Sequence, residues 1–334
     1  MSRRLLWLSI PFREPFTTAT GPIRARDLLL LRLEEPDGIV AHGEAAPFEP
    51  YDGVTLGTVA RALKDRSVPP TPYVHAADEM AFLDLEARRA GVAVAEPRTR
   101  TVPVNWTIAE MRLNAAAESA AQAVSAGYGC VKLKVGFPDD EERVAAVRAA
   151  LGPDVLLRLD ANASWSVAEA VARIERLAPH GIEFVEQPCA TLPELASVRR
   201  ETGVRVCADE SVQSAGDVIA AADLGACDVV AVKLAPMGGL NDARAAIGAA
   251  RKRGLESYVS STLDGPWGIA ASLQLAAAEG ITLHCGLATL ELFDASLATA
   301  LPAPENGRMT VPAGPGLGIE VSEDAIAEVL VEEL

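Results

Sequence analysis

Residues 130–188 read CVKLKVGFPDDEERVAAVRAALGPDVLLRLDANASWSVAEAVARIERLAPHGIEFVEQP. Three short apolar runs, CVKLKVG (130–136), VLLRLDAN (155–162) and IEFVEQP (182–188), alternate with two stretches of helical character, DDEERVAAVRAAL (139–151) and SVAEAVARIERLA (166–178). Near-continuous apolar strands separated by amphipathic helices predict parallel strands covered by helices. The rhythm extends outward in both directions. VPVNWTI (102–108) precedes this stretch, and VRVCADE (204–210), DVVAVKLA (228–235), ESYVSST (256–262) and ITLHCG (281–286) follow it. Further helices fall over TLPELASVRRE (191–201) and LNDARAAIGAARKRG (240–254). Eight strand candidates over roughly 200 residues point to a closed (β/α)8-type, TIM-like barrel rather than an open sheet. A doubly wound sheet is the competing architecture, but no G-x-G-x-x-G follows the first strand.

The first hundred residues read differently. LLWLSIPF, DLLLLRLEE and GIVAHGEAAPF have the character of antiparallel strands, the last two joined by a turn at Pro36-Asp37-Gly38. Two helices are expected around TLGTVARALKDR (55–66) and HAADEMAFLDLEARRAG (75–91). The predicted division is an α+β capping domain over 1–98, completed by 305–334 returning to pack on it, and a catalytic barrel over 99–304.

Composition narrows the function. The 334 residues carry a formal net charge of −16, with no basic stripe, which leaves nucleic-acid binding without electrostatic support. No run approaches the roughly 18 apolar residues of a membrane span. The opening MSRRLLWLSIPFRE is broken by Pro11 and Arg13 and reads as a first strand rather than a signal peptide. Five scattered cysteines with no C-x-x-C pair fit reduced, mostly buried thiols in a cytoplasmic protein. Of the 30 Lys and Arg residues only five are lysines: Lys64, Lys132, Lys134, Lys233 and Lys252. Arginine cannot release its proton at useful pH and a buried lysine can, so Lys132, Lys134 and Lys233, set inside apolar runs, invite a chemical reading.

Polar residues recur at the C-terminal ends of consecutive strand candidates: Lys132 and Lys134, then Asp160, Glu186, Asp209 and Lys233. The steps from Lys134 are 26, 26, 23 and 24 residues, each close to one βα unit. In a barrel these ends meet at one face. Three carboxylates at one locus repel unless a cation holds them, and an oxygen-only donor set favours Mg²⁺, with Mn²⁺ as the alternative. Between the lysines of strands two and six there is room for a small carboxylate substrate. Taken singly each residue has a plainer role: Asp160 as a helix N-cap, Glu186 as a strand end, Asp209 in a capping run, Lys132 and Lys233 snorkelling from the rim. The four histidines lack ligand spacing, and His284 is expected to pack. GPGLG has no following Gly-Lys-Ser/Thr and is not a phosphate loop.

In order, K-x-K, D-A-N, V-E-Q-P, A-D-E-S and V-K-x-x-x-x-G-G, the chain resembles the muconate-lactonizing subgroup of the enolase superfamily. GEAAPFEPYDG and GPGLGIEV are similar to that family's capping segments, so the resemblance covers nearly the whole chain. It implies Asp160, Glu186 and Asp209 as Mg²⁺ ligands and Lys134 and Lys233 as opposed acid–base groups, with Lys132 beside Lys134 lowering its pKa. The implied chemistry is removal of the proton alpha to a carboxylate through an enediolate. Dipeptide epimerases of the family carry an Asp-x-Asp after strand eight, where this chain has CGLATLELF. That stretch, with VEQPCATLPEL and VPVN, resembles o-succinylbenzoate synthases, so dehydration in menaquinone biosynthesis is the first expectation. DGPW (264–267) fits neither pattern. N-acylamino acid racemase, dipeptide epimerase and muconate-type cycloisomerase remain alternatives, as does, from another class, a barrel that binds a carboxylate without turning it over. Substrate contacts are expected from Asn162, Ser260, Ser261, Gly286, Leu287 and Thr289, and from Phe16 and Tyr51 in capping loops 16–24 and 48–51. The expected partner is a small carboxylate substrate, with no nucleic acid and no membrane, and a homo-oligomer stays open.

Overall fold

The computed structural model describes residues 1–18, 21–109 and 112–334. Residues 19 and 20, within the capping loop 16–24 expected to shape selectivity, lie outside the described residues, as do the side chains of Thr17 and Thr18. Strands β1 (Ser2–Thr18), β2 (Gly21–Glu34) and β3 (Val40–Ala45) come first. Next are β4 (Thr101–Pro103), β5 (Trp106–Ile108), β6 (Cys130–Lys134), β7 (Leu156–Asp160) and β8 (Ile182–Glu186). β9 (Val206–Ala208), β10 (Val229–Val232), β11 (Glu256–Val259), β12 (Arg308–Thr310) and β13 (Leu330–Glu333) complete the set.

The first sheet is antiparallel in the order β13-β1-β2-β3. Its leucine run is continuous because both faces are covered. Leu28 and Leu30 join Leu6, Leu8 and Ile10 in the core shared with the barrel. Leu29, Leu31 and Leu33, one residue out of phase, join Leu5 against the helices Leu56–Lys64 and Pro72–Ala90. The expected turn is present: Gly38 donates to the Glu35 carbonyl at φ 90°, a conformation that suits glycine. In the C-terminal segment, β12 pairs with β4, within residues 99–304, and β13 pairs with β1 of the first sheet, setting Leu6 opposite Glu333.

The second sheet is parallel, in the order β11-β10-β9-β8-β7-β6-β5. Two strand expectations are corrected. VPVNWTI splits in two at Val104 and Asn105, whose N–H groups donate to the Gly307 and Cys285 carbonyls instead of continuing one ladder. Thr101–Pro103 pairs antiparallel with β12, and only Trp106–Ile108 joins β6. ITLHCG forms no full strand and closes the ring through single bridges, Ser260 with Gly286 and Val104 with Cys285. Gly286 comes so near β11's end that a Cβ there would lie 2.4 Å from the Ser260 hydroxyl. The TIM-like barrel with its α+β cap therefore closes through a two-residue seam.

Helices surround the sheet. Capping boxes start two of them, Ser166 with Glu169 and Thr191 with Glu194. The helix Pro266–Ala278 is different, since every residue in it is buried. PWGIAASLQLAAA is apolar apart from Ser272 and Gln274, both also buried, and sits between barrel and cap, as a helix without a solvent face must. All five cysteines are buried and unpaired with one another. Among the described residues no helix is long and apolar enough to cross a membrane.

Candidate active site

Parallel register levels the strand ends. Lys134 pairs with Asp160, and Asp160 with Glu186, across β6, β7 and β8. Asp209 and Lys233 directly follow β9 and β10. Lys132 and Lys134, two residues apart, share one face of β6. The six side chains singled out by their spacing do converge, although they span a hundred residues of sequence.

Their contacts are ionic. Lys132 Nζ lies 2.9 Å from Asp160 Oδ2 and 3.0 Å from Glu186 Oε1. Lys134 Nζ donates to the same Asp160 oxygen at 2.7 Å and to Asn162 Oδ1 at 2.6 Å. Lys233 Nζ sits 2.5 Å from both Asp209 oxygens and 4.1 Å from the centre of the Tyr51 ring. The Tyr51 hydroxyl donates to Asp209 Oδ1 at 3.1 Å, so the cap reaches into the cluster. Asp160, Glu186, Asp209, Lys132 and Lys233 are all buried, whereas Lys134 is partly open.

Burial and charge compete here. Burial lowers the Lys132 pKa, but Asp160, Glu186 and Asp209 outweigh it and hold the ammonium well above its ordinary range. The same balance raises Lys233, with Asp209 and Glu210 against burial. Burial raises Asp160, yet Lys132 and Lys134 together bring it well below the usual carboxylate range. Glu186 is raised by burial and then by Asp160, and Asp209 by burial, with Lys233 opposing.

Local backbone supports the arrangement. Asn162 and Gln187 adopt φ 43° and 39°, uncommon for non-glycine residues. The Asn162 N–H donates to Asp160 Oδ1, and its amide donates to Glu210. Gln187 Oε1 accepts from the Asp209 N–H at 2.8 Å and from the Ser211 hydroxyl. In the sequence Gln187 stands out only as part of the V-E-Q-P motif, yet its amide fixes where Asp209 begins.

A cavity of ≈ 120 Å³ opens on the cluster. Lys132, Lys134, Asp160, Asp209 and Lys233 line it, as do the expected Asn162, Ser260, Ser261, Gly286, Thr289, Phe16 and Tyr51. Glu186 lies beneath this lining, fully buried. Leu287 is corrected: it is fully buried in the hydrophobic core and does not line the cavity. Between Gly286 and Thr289 the chain turns its one large aliphatic side chain inward. Phe48, at the start of the expected capping loop 48–51, also lines the cavity, as do Thr107, Thr262 and Leu263, which the sequence does not single out. Thr107 pairs with Lys132 across β5 and β6, which brings it to the cavity. A second cavity of ≈ 310 Å³ shares Phe16, Thr107, Leu263 and Thr289 and is also lined by Trp106 and Tyr128.

The DGPW segment acquires a role as the joint between barrel and cap. Glu44 of β3 accepts from the N–H groups of Gly265 and Gly268, satisfying the start of the helix Pro266–Ala278. Burial, and then Asp264, push the Glu44 pKa up to about 8.

For a divalent ion the donor chemistry fits: three buried carboxylates on successive strand ends offer oxygen alone, the preference of a hard cation. Positive charge already stands between them, as the Lys132 ammonium bridging Asp160 and Glu186. Among the described residues no group of three or more His, Cys, Asp or Glu side chains is disposed around a single metal position.

Residues 115–325 match the family model described as "Enolase C-terminal domain-like". The chain is 40% identical to an o-succinylbenzoate synthase of Thermobifida fusca (strain YX), over 71% of this chain and 73% of that protein. It is 30% identical to muconate cycloisomerase 1 of Rhodococcus opacus, over 96% and 95% of the two chains. Among solved structures, 2-chloromuconate cycloisomerase from Rhodococcus opacus 1CP superposes with TM-score 0.92 at 25% identity, covering 99% of each chain. A dipeptide epimerase from Enterococcus faecalis V583, complexed with Mg and the dipeptide L-Leu-L-Tyr, superposes with TM-score 0.86 at 28% identity, covering 96% of this chain and 99% of that one.

Proposed function

Because the chain belongs to the enolase superfamily, we propose that it is a Mg²⁺-dependent enzyme that removes the proton alpha to the carboxylate of a small substrate. One observation carries the reading: Lys134 and Lys233 line the same cavity, on either side of the carboxylates Asp160 and Asp209. Asp160, Glu186 and Asp209 are the residues that would hold the ion, which when bound would supply fixed positive charge to stabilise the negative charge formed on the substrate.

The chain's own groups do the rest. Lys134, partly open and held by Asp160 and Asn162, is the group that takes the alpha proton on Nζ. Lys132 stays charged beside it and bridges Asp160 and Glu186, offsetting the repulsion between the two carboxylates. Lys233, buried against Asp209 and Tyr51, offers a fixed cation from the other side. Phe16, Phe48 and Leu263 cover the cavity and limit water.

The specific reaction we favour is dehydration to o-succinylbenzoate, a step of menaquinone biosynthesis, with the beta hydroxyl leaving as water after proton removal. The synthase relative at 40% identity and the absence of an Asp-x-Asp in CGLATLELF support it. Racemisation or epimerisation is the second reading, supported by the two lysines lining one cavity; in it Lys233 would return a proton to the other face.

Assays against the o-succinylbenzoate precursor, N-acylamino acids, dipeptides and a muconate separate these outcomes. Lys134→Arg keeps the charge and removes the base, so kcat should fall about 10²–10⁴-fold, and near-normal turnover would take Lys134 out of that role. Asp209→Asn should weaken Mg²⁺ binding at least tenfold in a folded protein. Unchanged affinity by calorimetry would discredit the ligand assignment.

A further inference from the structure

Below the cavity floor, the barrel interior carries a polar and aromatic layer with no part in the chemistry above. Tyr258 of β11 is fully buried, and its hydroxyl donates to Glu186 Oε2 at 2.7 Å. The other Glu186 oxygen, Oε1, accepts from Lys132. β11 and β8 are separated by two strands in the sheet order, so this bond crosses the barrel. The phenol is itself held. The Arg158 guanidinium lies 5.0 Å from the Tyr258 ring centre and 4.6 Å from that of Phe184. Arg158 is fixed in turn by Glu183 at 2.6 Å and by the His284 carbonyl at 2.6 Å. Neither Tyr258, Arg158 nor Phe184 lines the cavity.

A glutamate's terminal torsion is broad and nearly two-fold, so burial alone does not decide which way its carboxylate plane faces. Two donors from opposite directions do. From this geometry we infer that Tyr258 is a positioning residue for Glu186: by holding Oε2 from below, it sets the carboxylate plane so that Oε1 is presented on the Lys132 side. The inference rests on the reading of Glu186 as one of the three cation-holding carboxylates. Without the hydroxyl, Oε2 is a buried acceptor with no partner, and the carboxylate turns to find one.

Calorimetric titration of Mg²⁺ into the full-length metal-free protein tests this, with three variants beside the unaltered chain. Tyr258→Phe keeps the ring against Arg158 and removes only the donor. It should weaken Mg²⁺ affinity roughly 10- to 100-fold, the usual effect of losing a partner that orients a ligand. Phe184→Leu loosens the same layer without touching Glu186, so it should lower the melting temperature and leave the affinity within about twofold. Glu186→Gln should bind Mg²⁺ least. Tyr258→Phe matching the unaltered affinity, or Phe184→Leu losing as much as Tyr258→Phe, overturns the positioning role while Glu186 keeps its own. Glu186→Gln binding as tightly as the unaltered protein removes the ligand reading instead. With saturating Mg²⁺ the substrate KM of Tyr258→Phe should be unchanged, which general damage to the site would not give.

Discussion

His42 on β3 is buried, with its ring 5.6 Å from that of Trp267 and its Nε2 without a hydrogen-bond partner among the described residues. Burial, then Arg32 and Arg88, lower its pKa to about 3. The unfolded chain binds the proton near pH 6.5, so the neutral ring's contribution is complete above that pH and is lost as pH falls toward 3. Between pH 7.5 and 5 this amounts to about 2 kcal/mol. Glu44 acts in the opposite sense: raised to about 8, it costs stability as pH rises from its unfolded value through 8. His42→Phe keeps a ring against Trp267 and removes the titration, so its melting temperature should fall less than the parent's from pH 7.5 to 5. Parallel curves for the two proteins would show that His42 is not the group responsible. Neither setting is legible in the sequence, because each depends on contacts between distant segments. The catalytic candidates are legible for the converse reason: a lysine or carboxylate ending an apolar run has few bland explanations, and regular spacing removes most of those.

At the scale of elements, β3 and the helix Pro72–Ala90 approach so closely that a Cβ on Gly43 would lie 1.9 Å from the Ala77 carbonyl oxygen and 2.8 Å from the Ala81 nitrogen. Both are backbone atoms and cannot swing aside. Gly43→Ala should therefore cost about 3 kcal/mol, read as a lower urea midpoint. Gly248, inside the helix Leu240–Lys252, is open by contrast: a Cβ added there would meet nothing within 4 Å. Gly248→Ala should stabilise by about 0.5–1 kcal/mol, through the helix preference alone. Equal effects of the two would refute the close-approach argument. The strands and amphipathic helices are readable because their apolar residues recur with period 2 or 3.6. ITLHCG reads as more strand than it is, since an apolar run does not reveal that only Cys285 and Gly286 pair with neighbours. The helix Pro266–Ala278 escapes a periodicity reading because its two polar residues, Ser272 and Gln274, are buried with the rest and mark no solvent face.

Across the whole molecule, the cap and the barrel make one site, and Arg26 is where they are joined. This buried guanidinium donates to the carbonyls of Ala46 and Pro47 in the cap and of Thr262 and Leu263 in the barrel. It also lies 5.1 Å from the centre of the Phe48 ring. Phe48, Thr262 and Leu263 all line the cavity, whereas the three carboxylates stand on barrel strand ends that Arg26 does not touch. Arg26→Met should therefore separate the two functions of the site. Leaving four buried carbonyls without their donor should cost about 3 kcal/mol or more. With Phe48 and the 262–263 loop displaced, kcat/KM should drop about 10- to 100-fold, since errors near 1 Å in positioning have effects of that order. Mg²⁺ affinity should stay within about twofold, because the proposed ligands stand at the ends of β7, β8 and β9, which Arg26 does not touch. Steady-state kinetics at saturating Mg²⁺, beside calorimetric titration of the same preparation, measure both quantities. Unchanged kcat/KM in a destabilised variant would make Arg26 a purely structural tie. An equal loss of Mg²⁺ affinity would mean that the cap organises the carboxylates as well, through Tyr51 on Asp209, and that cap and barrel cannot be treated as separable contributors.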